Sequence, residues 1–347
     1  MTTPYDPHAI IQLGESTMDS WAQGSRIEGV EVELATNEAS QAEVRVFDPD
    51  PEFRLLQSLT SGDGIAELPV RVWLGFGEGK ALGGPVFEGV LARVERDFST
   101  TILRCFDVGF KMRKVQRTEY HRGLTDLEII ARLAKRNGLR FEGPDEKIAL
   151  DKHKSEKQEG ETDWAFAMKC AERAGLVLYV RGETLFAKEA VKTGREVLTL
   201  NFREDFMLMD DFRLSYRIPE NQEGTPARVE TRGRGRGGRR LKGESQRERR
   251  GTELLELKRD LRVKSKRHAD RRAEARKALQ REHAFDCSVG VLPSFTGPRP
   301  DARSTVKLDK LGTLFSGRYL CDRVTHIFAP GELTMELDLY RDIKPRA

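Results

Sequence analysis

Three patterns in this 347-residue sequence carry residue types that could do chemistry. Gly75-Phe-Gly-Glu-Gly-Lys80-Ala81 has the glycines and the lysine of a phosphate loop. A Walker loop needs glycine where Leu74 stands and Ser or Thr, to hold magnesium, where Ala81 stands. The segment also precedes no helical pattern, so no helix N-terminus would receive a phosphate. It reads as a hairpin turn. The six histidines, at 8, 121, 153, 268, 283 and 326, show no HxH, HExxH or cysteine-paired spacing. Metal catalysis therefore has no support, and no metal or cofactor is expected. His326, in Val324-Thr-His-Ile327, reads as a strand histidine facing a polar interface. No GxSxG elbow presents a serine nucleophile. No catalytic residue is expected, and the chain reads as a non-enzyme.

The strongest chemical signal is Arg232-Gly-Arg-Gly-Arg-Gly-Gly-Arg-Arg240. Such Arg/Gly runs bind single-stranded nucleic acid through charge, stacking and backbone freedom. Interleaved rings are missing, however: no Phe, Tyr or Trp occurs from Arg228 to Ala284. A mobile, solvated loop, or a patch for an acidic protein partner, outweighs the nucleic-acid reading. Guanidinium forks match carboxylates in bidentate fashion, so Arg232, Arg234, Arg236, Arg239 and Arg240 are the candidate partner interface. Residues 221–285 hold 21 Lys+Arg against 10 Asp+Glu, a net of +11, while the rest of the chain nets −7. The overall +4 thus describes a mildly acidic scaffold with one basic insertion.

The elements that must position these residues are mainly strands. Val30, Val32 and Leu34 alternate with glutamates, Val44 and Val46 follow, and Val70, Val72 and Leu74 alternate again. Val86–Glu95 and Thr101–Phe106 read as two more strands joined at 97–100. The pattern then changes. Thr125-Asp-Leu-Glu128 is a capping box, followed by Leu127, Ile130, Leu133 and Ala134 at helical spacing and by Gly138 as a left-handed stop. Thr162, with Trp164, Ala167, Met168 and Ala171, repeats the plan and stops at Gly175. The two segments end alike, Ala134-Lys-Arg-Asn-Gly-Leu139 and Ala171-Glu-Arg-Ala-Gly-Leu176, and feed strands at 140–141 and 177–181. Strands return at 197–202 and 212–217, and a helix is expected over 252–284. The last strand alternates Leu333, Met335, Leu337 and Leu339, pairing with 318–328 across Ala329-Pro-Gly-Glu332.

No basic start and apolar run of a signal peptide opens the sequence, and no apolar stretch approaches the ~20 residues of a membrane span. Cys105, Cys170, Cys287 and Cys321 lie far apart, without a CxxC pair, and read as reduced core thiols of a protein made in a reducing cytoplasm.

Together these patterns resemble the late control gene D family, the tail hub proteins of contractile bacteriophages, related to the hub part of VgrG. The resemblance is carried by Pro69-Val-Arg-Val-Trp-Leu-Gly75 with Val86-Phe-Glu-Gly-Val90, by Gly160–Leu176 and by Phe315–His326. It implies two β-barrel tube domains with α+β insertions, arranged as a pseudo-hexameric ring in a trimer. The expected division is 1–116, first barrel; 117–195, small α+β domain; 196–220 and 286–347, second barrel; 221–285, basic loop plus helix. The implied function is a structural baseplate hub, of a phage or a phage-tail-like injection particle, that adapts a six-fold tube to a three-fold spike. Implied partners are two further copies, a separate spike protein, the tail tube or tube initiator, wedge or adaptor proteins and a tape measure in the lumen. The implied location is the virion tail baseplate, or that of an injection particle, made and assembled in the bacterial cytoplasm. Two alternatives make distinct forecasts: a tail-associated peptidoglycan hydrolase would clear cell wall, and a nucleic-acid binder using 232–240 would show salt-dependent binding.

Overall fold

The computed structural model describes residues 6–49, 68–77, 83–144, 148, 150–190, 192–202, 209–216, 228–234, 240–245, 255–259, 265–281, 285–292 and 299–341. Alternating apolar residues build seven strands first: β1 (Pro7–Leu13), β2 (Ser16–Asp19), β3 (Ile27–Ala35), β4 (Gln41–Phe47), β5 (Pro69–Phe76), β6 (Phe87–Arg96) and β7 (Thr100–Asp107). They pair in the order β2-β1-β5-β6-β7-β4-β3, all antiparallel. The alternating valines and leucines named above are buried, as a one-sided pleat requires.

A short 3-10 helix, Val108–Arg113, leads into β8 (Gln116–His121), α1 (Asp126–Arg136), β9 (Arg140–Glu142), β10 (Glu156–Thr162), α2 (Asp163–Ala174), β11 (Leu176–Arg181) and β12 (Thr184–Glu189). Both helix starts are as expected: Thr125 accepts from the Glu128 N–H and Glu128 answers, while Thr162 accepts from the Ala165 N–H. Gly138 and Gly175 take φ of +77° and +72°, the left-handed stop that glycine alone adopts without strain. Ile129, Ile130, Leu133, Phe166, Ala167 and Cys170 face one another in a core of their own.

The large sheet resumes with β13 (Glu196–Asn201) and β14 (Met209–Tyr216). An insertion follows, of β15 (Arg228–Arg234), β16 (Arg240–Glu244), β17 (Leu255–Arg259) and α3 (Lys266–Arg281). β18 (Phe285–Val291), β19 (Thr305–Asp309), β20 (Gly317–Ala329) and β21 (Glu332–Arg341) complete the chain's described part. The β20–β21 hairpin is tighter than expected: Ala329 pairs with Glu332, leaving Pro330 and Gly331 as the turn.

The two expected closed barrels are not formed among the described residues; one 13-stranded sheet runs through both units. Closing the first unit would require β3 to meet β1 or β2. Instead β3 pairs antiparallel with β20, from Val30↔Phe328 to Ala35↔Arg323. β20 can serve two neighbours because it is 13 residues long: Gly317–Leu320 pairs with β19, and Arg323–Phe328 with β3. A bulge at Cys321/Arg323 lets the strand bend between them. One hydrophobic core, with Val32 and Val44 beside Val324, Phe328 and Leu337, therefore spans both units.

Candidate assembly interface

The basic run is more ordered than its composition suggests. Arg232 and Arg234 lie in β15 and Arg240 in β16, with Arg234↔Arg240 the last registered pair of the hairpin. The expected mobile loop is thus replaced, at these positions, by strands, because β17 also pairs parallel to β15 and supplies the ladder a lone Arg/Gly ribbon lacks. Arg236 and Arg239 lie outside the described residues. Arg232 is exposed, and its Nε donates to Glu230 Oε1 at 2.5 Å. Lys242 reaches the same carboxylate at 3.0 Å, so Glu230, buried under its neighbours, neutralises part of the patch. The helix expected over 252–284 is shorter, Lys266–Arg281, with strand at Leu255–Arg259.

The insertion does not stand apart. Gly243 lets α3 approach β16 closely: a Cβ there would sit 2.0 Å from the Ala269 carbonyl carbon. On its other side α3 meets α2. Arg271 Nη2 donates to the Ala174 carbonyl at 3.2 Å, and Arg276 Nη1 pairs with Glu172 at 3.0 Å. Arg272, 6% exposed, reaches Asp126 Oδ2 at 3.2 Å.

Asp126 belongs to a motif that occurs twice, at an offset of 37 residues: Glu119, Asp126, Arg136, Gly138 and Leu139, then Glu156, Asp163, Arg173, Gly175 and Leu176. The second half was expected from the matching helix ends; the acidic members Glu119 and Glu156 were missed, although the constant offset was there to find them. In space the copies interlock. Arg173 Nε donates to Asp126 at 3.1 Å and Arg136 Nη1 to Asp163 at 3.3 Å, each arginine crossing to the other repeat. Each also holds the glutamate of its own repeat, Arg173–Glu156 at 3.0 Å and Arg136–Glu119 at 2.5 Å. At the dyad between β8 and β10, His121 Nε2 and Gln158 Oε1, themselves 37 residues apart, meet at 3.4 Å. His153 Nε2 lies 3.0 Å from Asp126. Burial alone would push the Asp126 carboxyl up; the His153 hydrogen bond, then Arg173 and Arg272, hold it well below the usual carboxylate range.

One turn joins the three parts of the chain. Asn37, at φ +61°, donates its N–H to the Leu178 carbonyl (2.6 Å) and accepts the Leu178 N–H (3.0 Å). Thr36 donates to Asp322 of β20, and Ser40 donates to Asp107 Oδ2 at 2.6 Å. Burial pushes Asp107 up to about 6 against that hydrogen bond and the Arg113 charge. Arg303 clamps the end of β12 to β21, donating to Ala190 O at 2.6 Å and to the Tyr340 hydroxyl.

His326 departs from expectation. It is 2% exposed, registered between Val32 and Met335, and faces the apolar core in place of a polar interface. Burial, and then Arg299, drives its pKa down to about 3, so the imidazole is held neutral. Burial likewise raises all four thiols, Cys105 and Cys287 to about 12, so none is an activated nucleophile. Among the described residues no group of three His, Cys, Asp or Glu is placed to hold a metal, and no helix is long and apolar enough to cross a membrane.

The fold is that of phage tail proteins. A tail protein from Neisseria meningitidis MC58 matches 97% of this chain and 97% of its own at 15% identity, with a TM-score of 0.69. The 43 kDa tail protein of prophage MuSo2 from Shewanella oneidensis matches 96% and 98% at 12% identity, TM-score 0.67. The E. coli c3393 protein, a type VI secretion component described as similar to T4 tail proteins gp27 and gp5, matches 97% of this chain and 79% of its own at 11% identity, TM-score 0.59. No curated protein matches the sequence significantly. The family model of the Alg8 N-terminal domain matches residues 13–212, which span β2 to β13 and both repeats. With more than half of its length so matched, the chain belongs to the Alg8 N-terminal domain family.

Proposed function

We propose that this chain is the structural hub of a contractile tail baseplate, of a phage or a phage-tail-like injection particle, of the late control gene D kind. The observation that carries the proposal is the β3–β20 seam. It locks two sheet units into one rigid arc with a common core. Three such arcs, joined head to tail, close a ring of six similar units with no interface left open. That ring fits a six-fold tail tube on one side and a three-fold spike on the other. The first unit is residues 1–116 and the second 196–220 with 286–347; 117–195 and the insertion 221–285 lie outside the ring wall. The protein works by positioning and sealing, without chemistry of its own.

Its partners are two further copies, a separate spike protein, the tube or tube initiator, and wedge or adaptor proteins, with a tape measure in the lumen. The β15–β16 hairpin, with Arg232, Arg234 and Arg240 and the intervening Arg236 and Arg239, meets an acidic wedge or adaptor surface. Native mass spectrometry of the purified chain with its spike should show three copies. A stable monomer that neither binds the spike nor joins tube ends would refute the hub.

A further inference from the structure

Among the described residues the interlocked repeats have one covered face and one open face. On the second repeat, α3 lies so close to Gly175 that a Cβ there would stand 2.7 Å from the Ala275 Cβ. On the first repeat, the matching glycine is Gly138, and among the described residues nothing lies within 4 Å of its equivalent Cβ position. The helix ends beneath the two glycines are built alike, with the same alanine, arginine and leucine and the same left-handed stop. Their charge differs. Glu172, which receives Arg276 of α3, corresponds to Lys135, and Lys135 is exposed beside exposed Arg132 and Arg140.

We propose that the face of the first repeat centred on Gly138, with Arg132, Lys135 and Arg140, docks an acidic amphipathic helix of a partner protein, as α3 covers the second repeat. Shape is supplied by the template: an ordinary helix already packs on this arrangement once in the molecule, with a small residue against the glycine. Sign is supplied by the exchange of Glu172 for Lys135. A second copy's α3 would bring Arg271 and Arg276 against Lys135, and like charges across an interface exclude that partner. Base stacking is disfavoured because the exposed lining residues include no aromatic ring. The proposal does not depend on the hub assignment, since it rests on the α+β domain and on α3, which packs against it.

The test uses the full chain and a labelled, helix-stapled peptide of the α3 sequence, Lys266–Arg281, made acidic by glutamate at the positions of Lys266, Arg271, Arg276 and Lys277. Fluorescence anisotropy should show binding to the wild type. It should show at least about tenfold weaker binding to R132E/K135E, and none for the unaltered basic α3 peptide. Both substituted side chains are exposed, so the melting curve should not move; if it does, K135E alone carries the comparison. No binding of the acidic peptide, or equal binding to wild type and variant, overturns the proposal. A single-stranded oligonucleotide that binds these residues more tightly than the peptide overturns it in favour of a nucleic-acid face.

Discussion

Asp126 and Asp163 occupy the same place in two copies of one motif, each the first residue of a helix behind a threonine cap. Each accepts an arginine from the opposite repeat, yet their remaining partners differ in kind. Asp126 is shared by Arg173, by His153 and by Arg272, which arrives from the insertion 146 residues away. Asp163 is completed locally, by Asn137 Nδ2 at 2.9 Å and Gln158 Nε2 at 3.0 Å, with Arg117 at 3.8 Å. A duplicated frame supplies the reciprocal ion pairs, and the asymmetry marks where the insertion has been docked onto it. Charge taken out of water must be met by charge or by dipoles, and the two repeats use one solution each.

The largest effect should come from removing the shared carboxylate. D126A takes away the anion on which buried Arg272, half-buried Arg173 and the His153 imidazole converge, and should cost about 3–5 kcal/mol. D163A should cost less, about 1–3 kcal/mol, because beyond its crossing arginine Asp163 serves two uncharged amides, whereas Asp126 also serves Arg272 and His153. Urea denaturation midpoints measure both. Hydrogen exchange adds a sharper distinction: D126A should loosen α3, and D163A should not. Equal losses, or an unaffected α3, would break the asymmetry.

The glycines extend the same comparison. Both have positive φ, so an alanine at either is strained by about 1 kcal/mol. At Gly138 that is the whole cost. G175A must also displace Ala275, and overpacking of this kind adds about 1–3 kcal/mol. G175A should therefore melt well below G138A, with α3 released in the first variant only.

Much of this frame was legible in the sequence because its signals are local. A threonine three residues before a glutamate, a glycine after an apolar stripe and a period of two in the valines each act within a turn or a strand. Edge pairing is not local. Nothing in Val30–Ala35 says whether its free side meets β1 or β20, which is why two closed barrels were expected where one continuous sheet stands. The Arg/Gly run was read as a loop because composition describes a segment alone, whereas β15 exists through β17, about 27 residues later. Of the five arginines named from sequence, Arg232, Arg234 and Arg240 share one hairpin, and Arg236 and Arg239 lie outside the described residues. Arg271, Arg272 and Arg276, which dock the insertion, were passed over within a helix judged by its charge total.

Asp107 supplies the contrast that isolates partners from burial. It is as buried as Asp126, at 3% exposed, and its carboxyl is pushed up to about 6 where that of Asp126 is held down. Among the described residues no cation is in contact with it: Arg113 acts at a distance, and the direct partners are backbone N–H groups, Ser40 first. The folded chain holds this proton up to about pH 6, whereas an unfolded chain releases it near pH 4. Between those values the folded state binds the proton more tightly, so stability should fall as pH rises from about 4 to about 6, by on the order of 1–2 kcal/mol. Asparagine can still accept from Ser40 and cannot ionise, so D107N should flatten that decline. Asp126 has the opposite sign: its depressed carboxyl stabilises above about pH 4, and that contribution is lost on further acidification. Thermal melts of wild type, D107N and D126N from pH 3 to 7 should therefore change at opposite ends of the range. A D107N curve parallel to the wild type would show that the Asp107 proton is not linked to folding, and that burial without a paired charge is not what sets these two aspartates apart.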